Sequence, residues 1–351
     1  MAQGGGIGSK AEGRLHAHDH RGTRDRMNLG RSLAAMALAS LAVAPGSAAA
    51  EDNGFTAWLH GLRGEALEQG ISAATLDRAL SGVAPIPRVL ELDRRQPELT
   101  LTFARYVELV VPTARVEKGR RILAENRSFL DALEATYGVP PEMLVALWGA
   151  ESEFGTHTGT FPVVGALATL AYDGRRSAYF RKELLGALRI VDAGHIEPDA
   201  MRGSWAGAMG QTQFMPSTFL SYAIDQDGDG RRDIWTNPKD ALASAANYLA
   251  RVGWRRGQGW SEPVLLPTGF DPSLASIEIV KPLAQWRALG LSARDGTPIG
   301  ESDLPASVVI PDGAQGPAYL VYENFRVLMR WNRSIHFAAA VGILAESVAT
   351  N

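Results

Sequence analysis

The chain has 351 residues, 46% of them hydrophobic, with 35 basic against 38 acidic side chains and a formal net charge of -3. That is enough apolar material for one large domain or two small ones, and the charge balance supplies no basic field for nucleic acid. Cysteine is absent, which excludes disulfides, thiolate metal sites, cysteine nucleophiles and a lipid-modified N-terminal cysteine.

Residues 1–50 read as a targeting segment. Gly, His and Arg dominate up to Arg26, and Met27 then opens MNLGRSLAAMALASLAVAPGSAAAED. Arg31 supplies a positive start, Leu33 to Val43 an apolar run, and Ala48-Ala49-Ala50 a small-residue cleavage site. The apolar run is short for a membrane span. The expectation is export to the periplasm, cleavage after Ala50, and no stable membrane anchor.

Residues 51–137 form an α-helical region, with apolar residues at three- and four-residue steps between the breaks at Pro85–Pro87 and Gln96-Pro97. Residues 138–260 are denser in Gly, aromatic and amide residues and are expected to carry the cleft, with a polar insertion at 225–240. Within 261–351, the runs PVLLP, SVVIP and AYLVY predict short strands, and a helix from about Glu323 to Val348 closes the same unit. The fold class is mainly α (α+β), with a small β portion.

The stretch GVPPEMLVALWGAESEFG predicts a helix opened by Pro140 or Pro141, where no backbone N–H is needed. Glu151 falls three, four and seven residues after Trp148, Leu147 and Leu144, so a carboxyl ends an apolar stripe. Such a group is either a partnered structural acid or one kept protonated for chemistry. Glu153 falls on the other face, over Ala150, Gly149 and Ala146.

The string GSWAGAMGQTQFMPSTF, Gly203 to Phe219, combines glycines that admit close backbone approach with the paired amides of Gln211 and Gln213. Trp205, Phe214 and Phe219 offer flat faces suited to sugar rings. A tightly packed turn is the alternative.

In DQDGDGRRDIWTNPKD, acids at relative positions one, three and five and Gly at six match the start of an EF-hand calcium loop. Asp225, Asp227 and Asp229 would be side-chain ligands and Arg231 a carbonyl ligand. Thr236 occupies position twelve, so Asp240 is the candidate closing carboxylate, while Asp233 either binds through water or caps the next turn. No spacing suits zinc, and no organic cofactor is expected.

Together these strings, with SAANYLARVGW and RWNRS, resemble the B family of lytic murein transglycosylases over essentially all of Glu51 to Asn351. The resemblance implies a lysozyme-like core with the calcium loop inserted. It implies cleavage of the β-1,4 bond between N-acetylmuramic acid and N-acetylglucosamine in peptidoglycan, without water, to leave 1,6-anhydromuramic ends. The family's catalytic acid falls on Glu151, and its substrate-contacting Ser and Gln on Ser204 and Gln213. The tyrosine of its NYL motif falls on Tyr248, and its aromatic-Asn pair on Trp331 and Asn332. A later aromatic falls on Phe337, and Trp331 and Phe337 both stand where tyrosines are expected. Its metal ligands fall on Asp225, Asp227, Asp229, Arg231 and Asp240, for a structural Ca2+. Arg175 and Arg176 match a paired-arginine segment suited to peptide-stem carboxylates. Peptidoglycan strands are the implied partner, with cell-wall synthesis or remodelling proteins as further candidates. Two alternatives stand: a muramidase-type hydrolase with Glu153 or Asp173 as a second carboxylate, and a peptidoglycan-binding protein without activity.

Overall fold

The computed structural model describes residues 48–94, 101–313 and 316–350, with the side chains of 48–53 excepted. The targeting segment up to residue 47 lies outside the described residues. In chain order the first helices are α1 (Ala48–Glu68), α2 (Ala73–Leu80), α3 (Pro87–Arg94), α4 (Phe103–Val110), α5 (Thr113–Glu125) and α6 (Arg127–Tyr137). Ser72 and Thr102 start α2 and α4 by accepting the Thr75 and Arg105 amides on their hydroxyls. Gly138, at φ 74, ends α6 in the left-handed conformation that glycine tolerates.

Next come α7 (Pro141–Ser152), β1 (Phe161–Pro162), α8 (Val163–Tyr172), α9 (Ser177–Asp192), β2 (Arg202–Gly203), α10 (Pro216–Tyr222) and α11 (Pro238–Arg251). The remainder comprises β3 (Ser261–Leu265), β4 (Lys281–Pro282), α12 (Leu283–Ala288), β5 (Ser292–Ala293), β6 (Pro305–Val309), β7 (Ala318–Val321), α13 (Glu323–Trp331) and α14 (Ile335–Ala349). The strands predicted from PVLLP, SVVIP and AYLVY are β3, β6 and β7. They form the centre of an antiparallel sheet ordered β4-β6-β7-β3-β5, which packs on α12 through the fully buried Trp286.

Two larger apolar cores carry the helices. One gathers α1, α2, α8, α9 and α10, with α8 buried on every side from Val163 to Ala171. The other gathers α4, α6, α7, α11, α13 and α14. Tyr248 and Trp331 pack against both, so the seam between the cores runs past them.

The single closing helix expected from about Glu323 to Val348 is two helices. Asn332 and Ser334 are extended, and the Ser334 hydroxyl caps α14 by accepting the Phe337 amide. A Ser at that position competes with continued helix by offering the backbone a local partner. The break leaves Trp331 at the last turn of α13, facing the seam.

Candidate functional site

Pro140 precedes α7 in an extended conformation and Pro141 takes its first position. The apolar stripe is realised, since Leu144, Leu147 and Trp148 line a small cavity together with Glu151. Thr212 of the turn before α10, Ala241, Leu242 and Ala245 of α11, and Trp331 of α13 complete its wall. Glu151 keeps part of its residue surface open, yet its carboxyl is enclosed, and its pKa is pushed up to about 7. Desolvation is the main cause, opposed by a hydrogen bond from the Trp331 indole N–H to Oε1 at 2.7 Å. Glu151 also sits in the last turn of α7, where backbone carbonyls disfavour a negative charge.

Glu153 is not on the helix. The helix ends at Ser152, and Glu153 steps out at φ 51 to ion-pair with Arg115 of α5 at 2.7 Å. Asp173 is likewise occupied, by Arg94 at 2.7 Å. Among the described residues, the non-glycine positions with positive φ are Glu153, Phe154, Arg176 and Gln213. All four lie in the strings singled out from the sequence, and such strain persists only where surrounding structure enforces it.

The turn Gly203–Phe214 is pinned to α7 through Gln211. This buried amide accepts from the Trp148 indole at 2.9 Å, donates to the Trp235 carbonyl, and its own carbonyl accepts the Ser152 hydroxyl at 2.7 Å. Ser204 closes the turn: its amide donates to the Ala208 carbonyl and its Oγ accepts the Ala208 amide. Gln213 donates through Nε2 to the Gly210 and Thr158 carbonyls. The glycines admit the protein's own atoms rather than open space. A Cβ on Gly203 would stand 2.2 Å from the Ala208 carbonyl oxygen. Gly203→Ala is therefore expected to destabilise by about 1–3 kcal/mol or more, measured by chemical denaturation, because the obstacle is backbone. Phe219 is fully buried and Phe214 nearly so, which leaves Trp205 as the partly exposed ring of the three expected to meet sugar. Phe214 instead packs against Trp331 and Tyr248, with centroids 5.3 and 5.8 Å away.

Tyr248 of α11 donates its hydroxyl to the Arg330 carbonyl at 2.9 Å and meets the Trp331 ring edge-on at 5.0 Å. Asn332 is exposed beside Trp331, whereas Phe337 is buried in the core of α14. Arg175 and Arg176 converge on one buried carboxylate, Asp93 of α3, while their own side chains stay 55% and 47% exposed. The structure thus brings together Glu151, Trp331 and Tyr248. One further group, missed from sequence, is Tyr106 of α4: burial and the Glu151 charge both hold its hydroxyl above the usual tyrosine range. Nothing local to Tyr106 signals this, because 45 residues and two helices separate it from Glu151.

In the polar insertion, Asp225 accepts the Gly228, Asp229 and Gly230 amides, wrapping the loop around its carboxylate. Carboxylate oxygens of Asp225, Asp227 and Asp229 all lie within 4.8 Å of one another, a grouping that could hold a metal ion. Arg231 directs its guanidinium to the His195 carbonyl. Asp240 is fully buried beneath the loop and accepts the Gln226 and Asp233 amides on its two oxygens. Burial raises its pKa, two backbone amides oppose that, and the Asp227 and Asp225 charges add to the rise. Asp233 caps the next turn through the Trp235 and Thr236 amides.

The family model described as the transglycosylase SLT domain matches residues 54–346. Membrane-bound lytic murein transglycosylase B of Escherichia coli (strain K12) is 30% identical over 293 residues, 80% of each chain. The crystal structure of SltB3 from Pseudomonas aeruginosa with NAG-anhNAM-pentapeptide superposes with a TM-score of 0.81 at 48% identity, covering 84% of this chain and 79% of that one. Escherichia coli lytic transglycosylase SLT35 in complex with calcium gives a TM-score of 0.72 at 31% identity, covering 83% of this chain and 92% of that one.

Proposed function

The chain belongs to the transglycosylase SLT domain family, and we propose that it is a peptidoglycan lytic transglycosylase in which Glu151 is both acid and base. The observation that carries the residue assignment is the Glu151 carboxyl set in an apolar cavity wall. Desolvation there pushes its pKa up to about 7 and so lets it both give and take a proton near neutrality. Glycosidases that use two carboxylates need a second one across the bond. Here Glu153 and Asp173 are bound to arginines, which favours the one-carboxylate reaction over the hydrolase.

In that reaction Glu151 gives its proton to the oxygen joining N-acetylmuramic acid to N-acetylglucosamine, and the muramic C1–O bond breaks. The C6 hydroxyl of the same muramic residue attacks C1, and ionised Glu151 takes its proton. Water is not consumed, and the product carries a 1,6-anhydro ring. The Trp331 N–H, donating to Oε1, stabilises the ionised form between the two proton transfers. Ser204 and Gln213 would position the glycan, with Tyr248, Trp331 and Asn332 shaping the cleft, while Phe337, buried in the core, would act only through packing. The open edges of Arg175 and Arg176 would meet stem carboxylates. The unit 51–351 would act as one catalytic body around the 138–260 core, exported to the periplasm by its 1–50 segment. No helix among the described residues is long and apolar enough to cross a membrane.

Asp225, Asp227 and Asp229 would bind a structural calcium ion, with the Arg231 carbonyl and Asp240 completing the set. The ion would neutralise the clustered carboxylates and tie down the loop beside α11, away from the chemistry. Calcium at a hundred times its dissociation constant is expected to stabilise the protein by about 2.7 kcal/mol. Thermal unfolding with calcium or with a chelator measures this, and Asp227→Ala should lose the response.

Incubation with purified murein sacculi tests the function. Falling turbidity is expected, while binding without any fall in turbidity would favour a peptidoglycan-binding protein.

A further inference from the structure

Thr212 follows the Gln211 anchor and is 5% exposed, and its Oγ1 is a buried hydroxyl without a hydrogen-bond partner. An unpartnered buried hydroxyl costs stability and calls for an explanation. Thr212 lines the same cavity as Glu151, whose walls include Leu147, Trp148, Ala245 and Trp331. The cavity beside that hydroxyl has room for about one small group. Trp331 occupies Oε1 of Glu151, so Oε2 is the oxygen open to a second donor.

We propose that Thr212 is a positioning residue for Glu151, its hydroxyl turning to donate to the carboxylate once the proton has left. The proposal rests on Glu151 being the acid. Its logic is differential. A protonated carboxyl facing an apolar wall gains little from Thr212, whereas the carboxylate formed in the reaction gains a charge-assisted hydrogen bond. A hydroxyl idle in the resting state and engaged in the reacting one fits that requirement.

The other titratable groups around Glu151 are few. Tyr106 of α4 lies in its field, and His336 stacks on Tyr106 at 5.7 Å with Asp312 3.9 Å from its Nε2. On α5, Arg115 and Lys118 are engaged by the Glu153 carboxylate and carbonyl. The cavity wall offered by α11 is apolar. Thr212→Val keeps the shape of the side chain and changes none of these groups.

The experiment compares pH profiles of kcat and KM on purified peptidoglycan for wild type, Thr212→Val, Thr212→Ser and Glu151→Gln. Thr212→Val is expected to lower kcat roughly tenfold with little change in KM. It should move the alkaline limb upward by about one pH unit, since loss of a donor to the ionised form raises the acid's pKa. Thr212→Ser should restore both. An unchanged limb overturns the proposal, as does a fall in kcat that Ser fails to rescue. Should Val unfold the protein, Thr212→Ala is read by the same criteria. Activity retained by Glu151→Gln would instead overturn the assignment of the acid.

Discussion

Glu151→Gln is expected to cut the release of soluble muropeptides by roughly 10²- to 10⁴-fold while leaving the protein folded. The substitution is nearly isosteric, and the amide oxygen can still accept the Trp331 N–H that Oε1 accepts at 2.7 Å. What it removes is the transferable proton. No neighbour can supply one in its place, because Glu153 is committed to Arg115 outside the helix and Asp173 to Arg94. The measurement is the initial rate of muropeptide release, with circular dichroism as the control for folding. A variant within a few fold of wild type would show that the proton comes from another group.

The same variant should be more stable than wild type in alkaline solution. Glu151 has a folded pKa of about 7, raised from an ordinary value of 4.5. Below pH 4.5 the group is protonated in both folded and unfolded chains and has no effect on the balance. As pH rises from 4.5 towards 7, the unfolded chain releases the proton while the folded chain retains it, and stability falls. Above 7 the folded protein carries an enclosed carboxylate, and the accumulated loss is on the order of 3 kcal/mol. Gln does not titrate. Denaturation curves of the two proteins should therefore coincide near pH 4 and separate by up to that amount near pH 8, the variant being the more stable. Parallel curves across the range would mean that the carboxyl is solvated.

Local pattern made part of this site legible. The position of Glu151 at the end of the Leu144–Leu147–Trp148 stripe follows from helical periodicity alone, and all four residues line one cavity. The DxDxDG run was readable for the same reason, since the backbone turn and its ligands lie within a few residues. Contacts between distant segments were not readable. The Trp331 indole reaches Glu151 across 180 residues, and its aim depends on α13 ending where Ser334 begins α14. A continuous apolar pattern hides that break, because periodicity is insensitive to a capping hydroxyl. Glu153 was misplaced on the helix for a related reason. Its left-handed conformation is unusual for a glutamate, and the Arg115 pair that accompanies it comes from α5. Glycines expected to admit a ligand instead admit the Ala208 carbonyl and the Leu167 side chain, since composition gives closeness but not the identity of the neighbour. Phe219 shows the same limit: an aromatic in a cleft-forming string, it spends its face on the core.

The central claim is that one carboxylate, used twice, closes a ring on the sugar it cuts. Mass spectrometry of the muropeptides released from purified peptidoglycan tests it most directly. The account predicts 1,6-anhydromuramic ends, lighter by one water than reducing ends, from wild type and none from Glu151→Gln. Reducing ends from wild type would contradict it, because they require an attacking water and a second group to activate it.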